Sequence, residues 1–380
     1  MTTSDISSVA LSEHLRLNGK IEIISKSPVE NSKDLSIFYT PGVGAVSLHL
    51  AEHPEEMRQY TIKGNTVAII SDGSAVLGLG NIGPAGAAPV MEGKAMLFKE
   101  LAGINAFPIV LDTQDTEEII ATIKAIAPIF GGINLEDISA PRCFEIEERL
   151  VAELDIPVMH DDQHGTAIVV LAGLINSAKL TKRMFKDMKI ILLGAGAAGV
   201  AIAKLLNQYG VGEIIAVDRQ GIIHKERDGL NSSKMRLAQV TNPSNQSGSL
   251  DDALINADVF IGVSGPDLLS AQQVKMMHLD PIIFALSNPR PEIMPDIAKA
   301  AGAAIVATGR SDFPNQVNNA LGFPGIFKGA LEHQVRQITD EMKIAAAEAI
   351  ASLVKHPTND EIIPSPFDPK VVSAVANAIR

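Results

Sequence analysis

Short runs rich in Val and Ile alternate with helical patterns along most of this chain, and this alternation constrains its fold more than any other feature. Candidate strands occupy 66–71, 106–112, 130–135 and 156–160 in the first half, and 189–193, 213–218, 257–263, 281–287 and 303–308 in the second. Strands that alternate with helices form crossover units and parallel sheets. Two such series predict an α/β chain with two domains, which suits a length of 380 residues.

The strand series also predict where the chain divides. We expect three segments: an N-terminal α/β domain at 1–160, a doubly wound parallel-sheet domain at 161–319, and a helical C-terminal segment at 320–380 that packs back on the first domain. The polar stretch 231–249 contains Asn-Pro and Ser-Gly steps and predicts a surface loop. The Ala-rich stretch 329–355 is predicted to be helical.

The clearest local motif follows the strand at 189–193. That strand runs into Gly194-Ala195-Gly196-Ala197-Ala198-Gly199, and a helical run begins at once. Gly194 permits a tight turn, Gly196 lets the backbone approach a pyrophosphate, and Gly199 lets the helix pack closely on the strand. The free N–H groups and the dipole of the helix then favour phosphates. The sequence therefore predicts a dinucleotide site of the Rossmann type, with NAD or NADP as the cofactor.

The strand after this helix ends at Asp218, about 20 residues beyond the glycines, where a carboxylate accepts hydrogen bonds from the adenine ribose. The charge of Asp218 opposes a 2′-phosphate and favours NAD, whereas the adjacent Arg219 offsets that charge. A second match to the glycine pattern, 78–83, is followed directly by Pro84 and lacks an acid-terminated strand. We therefore assign the phosphates to 194–199 alone.

Charge and cysteine content exclude several classes of function. The formal net charge is -12, which repels phosphate backbones and argues against nucleic-acid partners. Cys143 is the one cysteine, so an intramolecular disulfide is impossible, as suits a reducing compartment. The N-terminus lacks a signal-peptide core, and no stretch has the roughly 18 apolar residues of a membrane span. We expect a soluble cytoplasmic protein with no membrane partner.

Two acidic pairs, Glu136-Asp137 and Asp161-Asp162, each directly follow a candidate strand. The carboxyl ends of parallel strands share the edge where α/β proteins bind ligands. Carboxylates that converge there would hold a hard cation such as Mg²⁺ or Mn²⁺. Polar and acidic residues are also favoured at helix N-termini, where Ser139 or Asp162 could act as caps. Spacing alone favours neither metal binding nor capping.

Lys94 falls on the apolar stripe of a helix predicted at 89–103, together with Val90 and Leu97. A lysine that faces a core or cleft is desolvated, which lowers its pKa and makes it a general base near neutral pH. A lysine can also snorkel to the surface along its own stem. Helical geometry alone favours this second, structural role.

The remaining candidates lie in predicted loops. Tyr39 stands in a turn-rich stretch, where a tyrosine is usually a packing residue but can also donate a proton. Asn288 follows a candidate strand, and Asn318-Asn319 follow the last one. These amides could orient a substrate carboxylate, although turn chemistry explains loop asparagines equally well.

Taken in order, these motifs resemble those of the malic enzyme family in its short bacterial form, along nearly the whole chain. The motifs that carry the resemblance are Phe38-Tyr39-Thr40-Pro41-Gly42-Val43, Leu77-Gly78-Leu79-Gly80, Gly93-Lys94, Leu135-Glu136-Asp137, His160-Asp161-Asp162-Gln163-His164-Gly165-Thr166, the glycines of 194–199, Ala285-Leu286-Ser287-Asn288-Pro289 and Asn318-Asn319. The resemblance implies NAD(P)-dependent oxidative decarboxylation of L-malate to pyruvate and CO₂. It is to stand-alone members without a phosphotransacetylase-like extension, so we expect no effector domain.

The resemblance also implies roles for individual residues. Lys94 resembles the general base that takes the proton of the C2 hydroxyl, and Asp161 resembles the carboxylate that helps set its protonation. Tyr39 resembles the acid that protonates C3 of the enol. Asn288 and the Asn318-Asn319 pair resemble contacts to substrate or cofactor.

The same resemblance makes Glu136, Asp137 and Asp162 ligands of Mg²⁺ or Mn²⁺, and it implies a homodimer with the N-terminal region near the interface. One departure concerns the loop after Asp72-Gly73. Large eukaryotic members carry an arginine there that grips a malate carboxylate, whereas this chain has Ser74-Ala75. The sequence does not identify the residue that takes over this grip.

Two other functions suit part of this pattern. A malolactic-type enzyme on the same fold would yield lactate with no net reduction of the cofactor. A non-catalytic nucleotide-sensing protein would need only the dinucleotide site. The combination of Lys94, Tyr39 and four carboxylates argues against the sensing protein.

Overall fold

The structure, a computed structural model, describes residues 3–380, with side chains from residue 6 onward. In this part of the chain the strands are β1 (Thr66–Ser71), β2 (Asn105–Val110), β3 (Gly132–Leu135), β4 (Val158–His160), β5 (Lys189–Leu193), β6 (Glu213–Asp218), β7 (Gly221–Ile222), β8 (Val259–Gly262), β9 (Ile282–Ala285) and β10 (Ile305–Thr308). The helices are α1 (Thr3–Leu17), α2 (Ser32–Phe38), α3 (Val43–Glu52), α4 (Met57–Tyr60), α5 (Gly83–Ala102), α6 (Thr116–Ile126), α7 (Arg142–Glu153), α8 (Asp161–Thr181), α9 (Ala197–Tyr209), α10 (Ser232–Val240), α11 (Leu250–Leu254), α12 (Ala271–Val274), α13 (Pro295–Ala300), α14 (Phe323–Glu332), α15 (Asp340–Leu353) and α16 (Lys370–Ala378).

The first sheet has four parallel strands in the order β2-β1-β3-β4. Every residue of β1 and of β3 is buried, because helices cover both faces of a parallel sheet and its strands are therefore apolar throughout. The carboxyl ends of β3 and β4 lie side by side, with Leu135 paired to His160. The two acidic pairs that follow these strands are thus brought to one edge.

The second sheet has six strands in the order β10-β9-β8-β5-β6-β7. Its first five strands are parallel, and the short β7 pairs antiparallel to β6 at the edge. The chain enters at β5, near the middle, and builds outward in both directions, which is the doubly wound arrangement. The predicted α/β class with a parallel Rossmann-type sheet is confirmed.

Helix α8 lies between the two sheets and is buried along most of its length. It packs on α9 and α15, and the apolar core is continuous from the first sheet to the second through this helix. One polar group inside it is fully satisfied: the Asn176 side-chain amide donates to Ala351 O and Ile362 O, each at 2.9 Å. This central helix fixes how the two sheets face each other.

The C-terminal helices pack on both parts of the molecule. Phe323 and Phe327 of α14 meet the edge of Phe98 on α5, with ring centroids 4.7 and 5.6 Å apart. Helix α15 lies against α8. The expected division into segments that end at residues 160 and 319 stays a prediction, because the core crosses between them.

One predicted element is wrong. The stretch 231–249, expected to be a surface loop, contains α10, whose N-cap Asn231 accepts a hydrogen bond from Lys234 N at 2.9 Å. A polar sequence can form a helix when the residue before its first turn caps the exposed N–H groups. The stretch 329–355, expected to be helical, contains the end of α14 and all of α15, with a break at residues 333–339.

Two helices begin earlier than the apolar periodicity predicts. Helix α5 begins at Gly83, not at residue 89, and its internal Pro89 lies within the second turn. Helix α8 begins at Asp161, not at Gly165. Both early turns are lined by small or polar residues, which carry no periodic signal.

The N-terminal arm, residues 6–65, differs from the rest of the molecule. None of its residues is buried, although the arm contains most of α1 and all of α2, α3 and α4. More than half of the exposed large apolar side chains of the described chain lie in it, with Leu15, Ile23 and Leu48 at least 70% exposed. No helix within residues 3–380 is both long enough and apolar enough to cross a membrane.

Candidate active site

A cavity of about 700 Å³ opens where the two sheets face each other. One side is formed by residues that follow the first sheet or lie on α5, namely Lys94, Glu136, Asp137, Asp161 and Asp162. The other side is formed by residues around the second sheet, namely Ala198, Ser264, Ser287, Asn288, Asn318 and Asn319. Most of the candidate residues named from the sequence therefore share one space.

Lys94 lies at the base of this cavity and is 8% exposed. Its ammonium group contacts the carboxylates of Glu136 and Asp161, the latter at 2.5 Å. It also lies 4.6 Å from the ring centroid of Phe323. The lysine therefore faces the cavity, and the alternative that it snorkels to solvent is wrong.

The expected direction of its pKa shift is also wrong in this geometry. Burial alone would lower the pKa of Lys94, but attraction to Asp161 and Glu136 outweighs burial and raises the pKa above its usual value. The apolar stripe on the helix predicted the burial correctly. It carried no information about two carboxylates that come from other elements.

Glu136, Asp137 and Asp162 form the carboxylate cluster beside Lys94. Each offers one oxygen, and these oxygens lie within 4.8 Å of one another. Asp162 Oδ2 accepts a hydrogen bond from Asp137 N at 2.8 Å. Asp162 therefore binds the backbone of the neighbouring loop and does not cap its own helix, whose N-cap is His160. Ser139 does not cap α7 either, since Pro141 occupies that position.

Crowding raises the pKa values of these acids. Burial, opposed by Lys94, raises the pKa of Glu136 well above its usual range. Burial and repulsion from Asp162 raise the pKa of Asp137 to about 7. Buried Oδ2 of Asp137 and Oδ1 of Asp161 have no hydrogen-bond partner among the described residues. Hard oxygens this close together, with one Asp137 oxygen lacking a protein donor, suit a divalent cation such as Mg²⁺ or Mn²⁺.

His164 and the backbone of His160 belong to a second group, centred on Glu147, while the His160 ring lies beside the carboxylate cluster with Nδ1 3.7 Å from Asp162 Oδ2. Glu147 of α7 accepts hydrogen bonds from His160 N at 2.7 Å and Gln163 Nε2 at 3.1 Å, and its Oε2 lies 2.9 Å from His164 Nε2. Burial opposes ionisation, but His164 and the backbone N–H of His160 outweigh it and lower the pKa of Glu147 to about 2. This buried carboxylate, which sequence reasoning missed, ties α7 to the start of α8.

The nucleotide loop has the geometry that its glycines predict. Gly194 adopts φ +121°, and a Cβ at Gly199 would lie 1.9 Å from Gly194 O. A Cβ at Gly196 would meet nothing within 4 Å, so the space beside Gly196 is open. Helix α9 begins at Ala197, within the loop, and Ala198 faces the cavity. Loop and helix N-terminus thus open onto the space that Lys94 faces.

The acid at the end of β6 is already engaged by two cations. Arg227 binds both carboxylate oxygens of Asp218 at 2.9 and 2.6 Å, and Lys234 Nζ lies 2.7 Å from Oδ2. Burial opposes ionisation, but these hydrogen bonds outweigh it and lower the pKa of Asp218 to about 2. Sequence reasoning considered only Arg219. Arg227 and Lys234 lie 9 and 16 residues away in sequence, and Lys234 falls in the stretch 231–249 that was expected to be a loop.

Tyr39 does not join the cavity of its own chain. It is 64% exposed at the end of α2, and neither Tyr39 nor either of the other two tyrosines lines the cavity. The second glycine pattern, by contrast, reaches the cavity through Leu77 and Gly78. A Cβ at Gly78 would lie 2.0 Å from Asn288 O, so this loop packs closely on the loop that follows β9.

The three asparagines differ in how free their amides are. Asn319 Nδ2 donates to Asp161 Oδ2 at 3.1 Å, and its Oδ1 accepts from Thr166 Oγ1 at 3.2 Å. Asn318 Oδ1 accepts from Ala320 N at 2.8 Å and so acts as a cap. Asn288 lines the cavity, and among the described residues its side-chain amide has no hydrogen-bond partner.

Two further residues that line the cavity, and one that is bonded to its wall, carry no motif in the sequence. Lys20 and His14 reach the cavity from the N-terminal arm. Glu292 is fully buried and accepts from Ser264 N and Ser287 N, each at 3.1 Å, which joins two loops of the second sheet. Burial raises its pKa. A single residue far from any strand end offers no pattern from which these positions could be predicted.

Comparison with known proteins decides the family. The family model described as the malic enzyme N-terminal domain matches residues 18–121 and 113–151, and the one described as the malic enzyme NAD-binding domain matches residues 163–378. The chain belongs to the malic enzyme family. The family, its α/β fold and the enzyme class predicted from the motifs are thereby confirmed.

Individual malic enzymes are similar over almost the whole chain. The NAD-dependent malic enzyme of Geobacillus stearothermophilus is 58% identical over 96% of this chain and 77% of its own length. The bifunctional malic/malolactic enzyme of Bacillus subtilis is 55% identical over 97% of this chain and 91% of its own. The crystal structure of the NAD-dependent malic enzyme of Thermotoga maritima superposes with a TM-score of 0.95, at 52% identity, covering 97% of this chain and 98% of that one.

Proposed function

We propose that this chain catalyses the oxidative decarboxylation of L-malate to pyruvate and CO₂, with reduction of NAD(P)⁺. The observation that carries this proposal is that Lys94, the carboxylate cluster and the nucleotide loop open onto one cavity. Oxidation at C2 needs a base and a hydride acceptor, and loss of CO₂ needs stabilisation of an enolate. The cavity holds residues suited to each of these requirements.

Lys94 is the proposed base for the C2 hydroxyl. Its proton is held by Asp161 and Glu136, so the free amine forms only when those charges are engaged elsewhere. If Glu136 held a cation, its attraction for the ammonium would weaken, and burial would then favour the neutral amine of Lys94. That amine would accept the proton of the C2 hydroxyl, bound NAD(P)⁺ would supply the hydride acceptor, and Asp161 would stabilise the resulting ammonium.

Glu136, Asp137 and Asp162 are the proposed ligands of Mg²⁺ or Mn²⁺. A divalent cation supplies Lewis-acid stabilisation of the negative charge that develops on the C2 oxygen. The raised pKa values of Glu136 and Asp137 predict that cation binding releases protons below about pH 7. Asn288 and Asn319 are proposed to orient the substrate from the opposite side of the cavity.

Tyr39 is the proposed acid for C3, and we infer that it acts across a homodimer. It lies outside its own cavity, on an arm whose apolar side chains are exposed. Soluble monomers rarely expose a contiguous apolar surface of this kind. The exposed side chain of Leu77 lines the cavity, and Leu79 and Ile82, close to it in sequence, are exposed as well. A second copy that covers arm and rim brings Tyr39 of the partner subunit to each cavity.

For the cofactor we propose NAD⁺ with incomplete discrimination against NADP⁺. Asp218 stays ionised and can accept hydrogen bonds from the adenine ribose. Arg227 and Lys234 offset its charge, so a 2′-phosphate meets two cations as well as one carboxylate. The division of the chain into segments 1–160, 161–319 and 320–380 is kept as part of this proposal, with the cavity between the first two.

The test is a product balance with L-malate, Mn²⁺ and either nucleotide. The proposal expects one NAD(P)H and one pyruvate per malate consumed, with initial rates faster for NAD⁺. Lactate without net NADH would indicate the malolactic reaction, which one relative's name includes. Nucleotide binding without turnover of malate would instead favour the sensing protein, and both results contradict the proposal.

A further inference from the structure

Lys20 lies at the junction between the N-terminal arm and the cavity. Its backbone N–H donates to Glu92 Oε2 at 3.2 Å, and its Nζ donates to Pro89 O at 2.5 Å. A Cβ at Gly93 would lie 3.6 Å from this Nζ. All three contacts are on α5, just before Lys94, so α5 fixes the ammonium of Lys20 at the cavity wall, which it lines.

The charge of Lys20 is not committed to a carboxylate. Among the side chains of residues 6–380, none places a carboxylate oxygen within 4.0 Å of its Nζ, in contrast to Lys94 with two such partners. An ammonium has three N–H donors, and one of them is taken by Pro89 O. Burial, only partly opposed by Glu92, lowers the pKa of Lys20. Such a group gains from an anion that enters the cavity.

The residues that replace the arginine of the large family members do not provide this charge. Ser74 Oγ donates to Asp72 Oδ1 at 2.5 Å and accepts from Ser139 N at 2.9 Å, so its hydroxyl is occupied within the loop. Ala75 lines the cavity but carries no polar side chain. Arg142 is paired with Asp72 at 2.7 Å and does not line the cavity.

We propose that Lys20 binds a carboxylate of the substrate and takes the place of the arginine absent at Ser74-Ala75. This inference rests on the proposed malate chemistry. The chemistry also selects which carboxylate is bound. The carboxylate at C4 leaves as CO₂, and an ammonium bound to it would stabilise the ground state and slow its loss. The carboxylate at C1 keeps its charge from substrate to product. Lys20 therefore binds the C1 carboxylate and stabilises the ground state and the transition state equally.

Uniform binding of this kind makes a specific kinetic prediction. Lys20→Ala is expected to raise KM for malate about 10- to 100-fold, as expected for a lost charge-assisted hydrogen bond. The same variant should leave kcat within about threefold and KM for NAD⁺ unchanged. Lys99→Ala is the matched control, because Lys99 is also carried by α5 but bonds Asn105 on the exposed side. It should change none of these constants.

Oxalate separates the two carboxylates and does not depend on turnover. It presents a carboxylate at the C1 position beside a second pair of oxygens and has no counterpart of C4. Calorimetric titration of oxalate into the Mn²⁺-loaded enzyme should show affinity reduced in Lys20→Ala by the same factor as KM. Unchanged oxalate affinity would mean that Lys20 binds the C4 carboxylate or neither carboxylate. It would overturn the proposal even if the wild-type enzyme proved not to oxidise malate.

Chemical rescue distinguishes a lost charge from a damaged wall. The only native cysteine, Cys143, is fully buried, and burial raises the pKa of its thiol to about 12, so it should resist alkylation. Lys20→Cys treated with 2-bromoethylamine regains an amine at nearly the original length. Recovery of malate KM toward the wild-type value supports the proposal, and a KM that stays high after complete alkylation contradicts it. If the wild-type enzyme oxidises malate and the malate KM of Lys20→Ala lies within twofold of the wild-type value, the proposal is also contradicted.

Discussion

The N-terminal arm and the nucleotide-binding sheet show two different ways of using apolar residues. In the sheet, strands β5, β8, β9 and β10 are almost wholly buried, and helices on both faces cover them within one chain. In the arm, residues 6–65 form helices without burying a single residue. Isolated short helices are marginal in water. The sheet is thus completed by its own chain, and the exposure of the arm is the reason for the proposal that a second copy covers it.

This comparison also concerns function. The sheet contributes the loop 194–199, which reaches the cavity of its own chain through Ala198. The arm contributes Lys20 to its own cavity but leaves Tyr39 exposed. If the arm completes the site of a second chain, the role of Tyr39 can be measured only in experiments on dimers.

The largest expected effect comes from mixed dimers. Tyr39→Phe and Lys94→Met should each lower turnover by a factor of about 100 or more as homodimers, since each removes a proposed acid or base. A heterodimer with one lesion on each chain contains one cavity with both groups intact. It should recover about half of the wild-type rate, measured on dimers isolated through two different affinity tags.

The matched control is a dimer of wild type with the double variant Tyr39→Phe/Lys94→Met. If Tyr39 acts across the dimer, each cavity has one lesion and the activity is lost. If Tyr39 acts within its own chain, the wild-type half keeps about half of the rate and the first heterodimer stays inactive. The second pattern would sink the cross-subunit proposal.

A second test changes the arm's surface and leaves the proposed catalytic groups in place. Leu35→Asp/Leu48→Asp puts two charges on exposed apolar positions of α2 and α3. We expect monomers in sedimentation velocity, turnover lowered at least tenfold, and NADH binding by fluorescence within twofold of wild type. Leu268→Asp/Leu279→Asp, at exposed leucines outside the arm, should stay dimeric and active. A fully active monomer would contradict the comparison.

The nucleotide loop of the sheet can be tested at Gly199, where helix α9 packs closely on Gly194. Gly199→Ala puts a Cβ 1.9 Å from Gly194 O, so the loop must shift at a cost of about 1–3 kcal/mol in the free energy of unfolding. NADH affinity should fall with it. At Gly196 the added Cβ meets open space, so Gly196→Ala should weaken NADH binding without loss of stability. Urea denaturation and NADH fluorescence measure the two effects, and equal stability losses would refute the assignment.

The smallest expected effect concerns cofactor choice. Asp218→Ala frees Arg227 and Lys234 from their carboxylate, so a 2′-phosphate should bind better and the adenine ribose of NAD⁺ worse. The ratio of kcat/KM for NADP⁺ to that for NAD⁺ should rise about tenfold or more. Lys234→Ala should move the same ratio in the opposite direction. A ratio that neither variant changes would mean that this cluster does not face the adenine ribose.

Sequence patterns were most informative where the relevant residues are neighbours along the chain. The strand, glycine turn, helix and acid of 189–218 lie within 30 consecutive positions, and local periodicity and glycine sterics determine their structure. The order of the acidic pairs after β3 and β4 also followed, because parallel strands bring their carboxyl ends to one edge. The sequence patterns failed to predict the helix in the polar stretch 231–249, where the capping residue Asn231 stabilises the first turn of α10.

The sequence by itself determined the fold class, the nucleotide loop and the identity of the candidate residues. Only the tertiary structure decided how those residues act on each other. Lys94 lies 42 and 67 positions from Glu136 and Asp161, and their proximity reverses the pKa shift that burial alone predicts. The same holds for Lys20 beside α5 and for Arg227 on Asp218. Charge interactions depend on distance in space, and local sequence patterns specify only distance along the chain.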